Sequence, residues 1–290
     1  MDSISFLQEA LQYEKCPEGF DEIYQDFCFY QQLVVNSLIE FARVCKKTNI
    51  EYQLGFGSLL GIIRDGGQIP WDYDADVFIH FEDRLRLIEA LNQELDSKYY
   101  FTCGEIHQCK QFFIRIAPKR YNTDVVHVDV FYYIGLPNDE KKYKAHTRKI
   151  RELINAREFK VVQLQGPWIH KAKMALYKIK YLAWTRKKII EKIVSVAGKY
   201  SSFTSPRVGS CNSHCGVWFY PIDFVSNSIV INTEIGELMI PDRYESILKQ
   251  EFHDYRKFLP IQDRIHEVIK SHKHLKAEAK VINAREIKKI

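Results

Sequence analysis

Hydrophobic and polar positions change period several times along the chain, and each change predicts an element. Between 21 and 48, Phe27, Tyr30, Val34, Leu38, Phe41 and Cys45 recur at three- and four-residue steps. That spacing lines one buried face of a helix, with Asn49 as its stop. YQLGF, 52–56, is short and β-prone; Gly57-Ser58 follows, and a short helix begins at Leu59 to Ile63. Gly66-Gly67 and Pro70 mark a tight loop. Residues 73–80 read as a strand, and 82–97 as an amphipathic helix with Leu85, Ile88 and Leu95 inward. FFIRIAP, 112–118, and DVVHVDVFYY, 124–133, alternate as strands do. In the second, His127, Asp129 and Phe131 share one face, and Val128, Val130 and Tyr132 the other. A charged helix is expected over 141–160, a basic amphipathic stretch over 170–199 and a loop over 201–216. Strand-like segments follow at 216–225 and 229–232, then a strand and a helix within 236–260. The last thirty residues read as a charged, peripheral helix, and neither a repeat nor a linker divides the chain.

The chemistry concentrates between 55 and 79. In an extended strand Asp74 and Asp76 project to one face while Ala75, Val77 and Ile79 face the other. Two carboxylates held together repel, and a hard divalent cation such as Mg2+ or Mn2+ prefers oxygen ligands. This points to a metal-dependent phosphoryl-type transferase. Asp129, central in an apolar strand, is costly unless paired. It is the natural third carboxylate; the alternative is an acid paired to a structural arginine. A helix starting after Gly57-Ser58 offers free N–H groups that suit a phosphate, although such glycines also serve plain turn geometry.

Composition narrows the class. A hydrophobic fraction of 46% over 290 residues supports a real core, and a net charge of +5 does not indicate a nucleic-acid binder. Seven irregularly spaced cysteines look like reduced thiols. Cys103, His107 and Cys109, and separately Cys211, His214 and Cys215, are close enough to raise a structural zinc site, but their spacings match no standard finger and ordinary thiols are the preferred reading. The acidic N-terminus lacks a secretion pattern and no apolar run approaches a spanning helix, so a cytoplasmic protein is expected. From 171 to 192, lysines and arginines accompany a ridge of Met174, Tyr177, Tyr181 and Trp184. Such a stretch suits peripheral contact with an anionic membrane face, or equally a packed helix with a solvated basic side.

GSLLGIIRDGGQIPWDYDADV closely resembles the signature of the LicD family, which includes bacterial phosphocholine transferases and, more distantly, fukutin and fukutin-related protein. FFIRIAPKRYNT, HVDVFYY and IPDRYESILKQEFHDYRKFLP resemble later family segments in matching order. The sequence departs at Tyr73, where an acid is usual, at His253, where glycine is usual, and at Arg64-Asp65, where Arg-His is common. The resemblance implies an α+β fold: a nucleotidyltransferase-like mixed sheet flanked by helices, with an additional C-terminal helical region. It implies a transferase domain over 1–260, including the basic insertion at about 170–199, and an extension over 261–290. Asp74, Asp76 and Asp129 would hold Mg2+ or Mn2+, Gly57 and Ser58 would approach phosphate, and Arg64 and Arg115 would bind its oxygens. Trp71 would support the loop or stack on substrate, and Asp72 would either sit behind the metal ligands or contact substrate. The implied donor is a CDP-activated alcohol, most simply CDP-choline, and the acceptor a glycan such as teichoic acid, lipopolysaccharide or capsule, or a lipid-linked precursor at the inner membrane face. Two rivals remain: nucleotidyl transfer from a nucleoside triphosphate, and a non-catalytic glycan-binding or scaffold protein.

Overall fold

The computed structural model describes residues 1–161 and 168–278. Seven strands form one mixed sheet: β1 (Gln53–Leu54), β2 (Ala75–His80), β3 (Tyr99–Cys103), β4 (Ile114–Pro118), β5 (Val128–Leu136), β6 (Arg207–Ser210) and β7 (Tyr220–Pro221). The spatial order is β1-β2-β5-β4-β3. β4 pairs with the first half of β5 and β6 with its second half. Only β2 and β5 run parallel, and their register sets Asp76 directly opposite Asp129. β8 (Ser228–Thr233) and β9 (Gly236–Pro241) form a separate hairpin. The architecture is therefore the expected α+β class, helices flanking a mixed sheet with more helix at the C-terminal end.

After α1 (Ser3–Gln12), the long α2 (Phe20–Thr48) buries Phe27, Val34, Leu38, Phe41 and Cys45 as the periodicity requires. Acids occupy its first turn and Lys46 and Lys47 its last, which favours both ends of the helix dipole. Asn49 closes it in the left-handed conformation at φ 54°. Tyr30 is only half-buried, whereas Gln31 is buried on the same stripe. α3 spans Phe56–Arg64, so Gly57 and Ser58 lie inside the first helical turn and not before it. β2 begins at Ala75, so Asp74 stands in the loop just ahead of the strand.

Other expectations need correction. In α4 (Arg84–Glu94) Leu85 is 55% exposed, and the inward positions are Leu87, Ile88 and Leu91, one step further round the helix. Residues 207–210, expected as loop, are a strand because their backbone completes the open edge of β5. The charged α5 (Glu140–Val161) appears as expected. The basic stretch is two helices, α6 (Trp168–Lys180) and α7 (Arg186–Ala197), with Thr185 capping the second at 3.2 Å. Of its aromatic ridge, two rings pack against α5. Tyr181 is buried and bonded to Glu152 of α5, and Tyr177 packs on Phe159; the Met174 side chain lies outside the described ones. The face that is exposed carries Trp168, Leu176, Ile179 and Leu182. After α8 (Tyr244–Phe252), α9 (Ile261–Glu278) is not peripheral. It buries Ile265, Val268 and Leu275, and its Arg264 pairs with Glu9 while His272 meets Asp26 of α2 at 2.7 Å. The end of the expected extension, 279–290, lies outside the described residues.

The loop between α3 and β2 is held from several sides. Tyr24 OH donates to Pro70 O at 3.0 Å, and Gln31 Nε2 donates to Ile69 O at 2.9 Å and to Asp72 O at 2.6 Å. Gln68 Nε2 donates to Asp74 O at 2.6 Å. The loop also folds tightly onto α3. A Cβ added at Gly61 would stand 2.6 Å from Gly67 O and 3.0 Å from Ile69 N, both backbone atoms that have little room to yield.

Two outcomes are expected. Gly61→Ala forces the loop off α3 and costs about 1–3 kcal/mol, an overpacking value, read as a lowered thermal midpoint. Gln31→Leu keeps the apolar stripe but removes two hydrogen bonds to the loop, leaving Ile69 O only the Asp72 N–H and Asp72 O only Gln68 Nε2 at 3.4 Å, at about 1–3 kcal/mol by denaturant titration.

Candidate active site

The fold gathers most of the expected residues in a cleft of about 690 Å³. α3 contributes Gly57 and Arg64, the pinned loop Trp71, Asp72 and Asp74, and β2 contributes Asp76. Asp129 adjoins Asp76 across the parallel ladder. Ser58 and Arg115 do not line the cleft and act from behind it. Buried Ser58 Oγ accepts the Asp76 N–H at 2.8 Å, tying α3 to the strand. Arg115 Nε donates to Asp129 Oδ1 at 2.6 Å, and its Nη1 reaches Asp124 at 3.1 Å. The structural-arginine alternative is thus physically present: Arg115 rests on a carboxylate. Arg64 pairs with Asp65 at 2.8 Å and lies 5.4 Å from the Trp71 ring centroid and 4.8 Å from that of Phe258. Trp71 is buried and packs on Phe6 and Phe258, so its visible role is to seat the loop.

The acids differ sharply in their surroundings. For Asp129, burial works to raise the pKa, but His127, 3.2 Å away, and Arg115 override it and hold the carboxyl below the ordinary range. Asp76 is pushed well above the ordinary value, by burial first and then by the charges of Asp74, Asp129 and Asp72. Asp72 is likewise pushed well up by burial and by Asp74. Among the described residues no Lys, Arg or His forms an ion pair with Asp72, Asp74 or Asp76. Gly57 matters to this packing, since a Cβ there would stand 2.7 Å from Asp72 Oδ2.

An unneutralised group of carboxylates fits a hard divalent cation. Among the described residues no three or more His, Cys, Asp or Glu side chains form a ready-made protein cage. That does not conflict with Mg2+, which is commonly held by one or two carboxylates and completed by water and substrate phosphates. The cysteine clusters show no such deficit of positive charge. Cys103 Sγ contacts Phe112 O and Tyr132 OH, Cys109 Sγ contacts Gln111 O, and His107 Nδ1 accepts the Cys103 N–H at 3.0 Å. Burial pushes the Cys103 thiol up to about 11 and Cys215 up to about 12, as suits structural thiols.

Sequence reasoning passed over several residues that shape the site. Gln31 and Gln68 hold the acid loop; a polar side chain on the apolar stripe of α2 was the available signal for the first. His127 touches Asp129, and its Nδ1 is buried with no partner among the described residues. Trp218 and Glu251 wall the cleft from far along the chain, and no local pattern marks them. Two strained positions flank the same cleft. Phe56 has φ 46° and His253 φ 54°, a region where side chains other than glycine are rarely found. The usual glycine at the position of His253 is explained by that conformation.

Comparison with known proteins agrees with this geometry. A family model described as LicD/FKTN/FKRP, nucleotidyltransferase domain, matches residues 49–153, the stretch that supplies all four acids. The lipopolysaccharide cholinephosphotransferase LicD of Haemophilus influenzae is 26% identical over 254 residues, covering 81% of this chain and 93% of that protein. An uncharacterised protein of Rickettsia typhi is 32% identical over 112 residues, 34% of each chain. With its signature segments in order and Asp129 paired beside the acids of the cleft, the chain carries over residues 49–153 a stretch that matches the LicD family model.

Proposed function

We propose that this protein is a metal-dependent transferase that moves phosphocholine from CDP-choline to a hydroxyl of a cell-surface glycan or its lipid-linked precursor. The acceptor oxygen forms a new bond to the choline-bearing phosphorus, the pyrophosphate P–O bond breaks, CMP leaves, and the hydroxyl proton passes to solvent. The observation that carries this reading is the in-register Asp76–Asp129 pair beside Asp72 and Asp74, in a chain similar over most of its length to a cholinephosphotransferase.

Asp74, Asp76 and Asp129 would hold Mg2+ or Mn2+, which when bound neutralises donor phosphates and lowers the pKa of a coordinated hydroxyl. The chain's own groups do the rest. Asp129, kept ionised by Arg115 and His127, is a better ligand than proton acceptor. Arg64 offers a guanidinium to phosphate oxygens along the cleft wall, oriented by Asp65. The first turn of α3 adds unpaired backbone N–H groups beside Gly57. Among the described residues no helix is long and apolar enough to cross a membrane. A lipid-linked acceptor would instead meet the exposed apolar face of Trp168, Leu176, Ile179 and Leu182.

The decisive assay supplies Mg2+, a glycan panel and CDP-choline, CDP-ethanolamine, CDP-glycerol or CDP-ribitol, and follows CMP. CMP release from CDP-choline, matched by a mass gain on glycan, is expected, with Asp76→Asn and Asp129→Asn each slower by at least about a hundredfold, the scale for losing one electrostatic stabiliser. Pyrophosphate from a nucleoside triphosphate, with no CMP from any donor, would move the protein to nucleotidyl transfer. A second outcome concerns stability. The folded state holds the Asp76 proton above its ordinary 3.8, while the unfolded chain releases it there. Stability is therefore lost as pH rises from 3.8 through the raised value. At pH 8 without metal, Asp76→Asn is expected to melt above the wild type. Mg2+ at a hundred times its Kd should raise the wild type by about 2.7 kcal/mol and the variant by less.

A further inference from the structure

One wall of the cleft has chemistry that the acid cluster does not use. Glu251, on α8, accepts a hydrogen bond from Tyr220 OH at Oε1. Its Oε2 is buried and has no partner among the described residues. Among the described residues no Lys, Arg or His forms an ion pair with Glu251; of the basic side chains lining the cleft, Arg64 pairs with Asp65 and Lys257 with Asp254 at 2.9 Å. Burial pushes the Glu251 carboxyl up to about 7. Glu251 shares the cleft with Asp72, Asp74 and Asp76 but is brought to it by a different part of the chain, α8.

Aromatic rings surround this position. Trp218 packs on Tyr220, the ring that holds Glu251, at 4.8 Å between centroids. Phe56 meets Trp218 edge to face at 5.5 Å, and both line the cleft with Phe252. The Phe56 backbone is held at its unfavourable φ while its ring packs on Phe78 and Phe131 as well as Trp218. A carboxylate oxygen with no hydrogen-bond donor among the described residues shares the cleft lining with these rings, and a cation with no N–H to offer fits that lining. A quaternary ammonium is such a cation: it is bound by ring faces and a nearby negative charge, not by hydrogen bonds.

We propose that Phe56, Trp218, Phe252 and Glu251 form a subsite for a quaternary ammonium head group, with Glu251 as its counter-charge. This rests on the phospho-alcohol reading and deepens it. The head group seats on this wall while the phosphates reach the acid cluster, so the wall selects which alcohol is transferred.

The test compares CDP-choline with CDP-3,3-dimethylbutanol, its uncharged carbon isostere, on the full chain with Mg2+. Calorimetric binding without acceptor is measured beside CMP release with it. Wild type is expected to bind CDP-choline at least about tenfold more tightly than the isostere, the scale of a desolvated cation–π site. Glu251→Gln leaves an amide oxygen for Tyr220 and should level the two affinities; Trp218→Leu should do the same, with thermal melts confirming that both variants fold. Discrimination retained in Glu251→Gln would overturn the subsite. So would a loss of kcat shared equally by both donors at unchanged KM, which would make Glu251 a proton acceptor, and so would a wild type that binds neither donor. The two proposals fail separately. Charge discrimination in binding with no CMP from any donor would leave the subsite and remove the transfer reading. CMP release without discrimination would do the reverse.

Discussion

Two carboxylates on neighbouring parallel strands cannot move apart without breaking the ladder that sets their register. Asp76 faces Asp129 because β2 and β5 pair residue for residue through the middle of the sheet. The fold neutralises only one of them. Asp129 has Arg115 and His127; Asp76 has a serine oxygen on its backbone N–H and no cation on its carboxylate. Asp72 and Asp74 then add charge to the unneutralised side. Left to itself, a loop bearing those acids would swing toward water. Tyr24, Gln31 and Gln68 prevent this by gripping the loop's carbonyls, and Gly61 lets the loop lie directly on α3. Much of the local structure thus serves to hold an electrostatically unfavourable arrangement in place, which is the condition for binding a cation and phosphates tightly.

The sequence made the elements of this arrangement legible where a period or a motif was strong. α2 and β5 follow from spacing and the α+β class from the family resemblance, and the order Gly57-Ser58, Asp74, Asp76, Asp129 maps onto one cleft and its floor. What it could not show was partnership. Arg115 reads as a free phosphate ligand until β4 is seen to pair with β5, where Arg115 stands opposite Asp129. Ser58 reads as a hydrogen-bond donor to substrate until its oxygen is found on the strand bearing Asp76. The aromatic ridge at 177–184 fits a membrane face or a packed helix equally because a helix's periodicity does not say which partner its apolar face meets; Tyr177 and Tyr181 meet α5. β6 was invisible for a related reason, since Arg207 to Ser210 have little strand propensity and are recruited by an open edge.

The cleft is a composite of two parts of the chain, and the division has chemical meaning. The floor comes from 49–153, the stretch matched by the family model. The opposing wall comes from Trp218 and from Glu251 to Leu259, delivered by β7 and α8. Phe56 is the join: it opens α3 at the floor, yet its ring packs on Trp218 in the wall. Its strained backbone and that of His253 lie one on each side of this seam. Residues in such conformations persist only where surrounding packing over-determines them. The seam is therefore rigid on both sides. The proposed donor would bridge it, with its phosphates toward the acids and its head group toward the aromatic wall. On the proposed reading, a floor that holds metal and phosphate would be indifferent to which alcohol the phosphate carries, and that choice would belong to the wall.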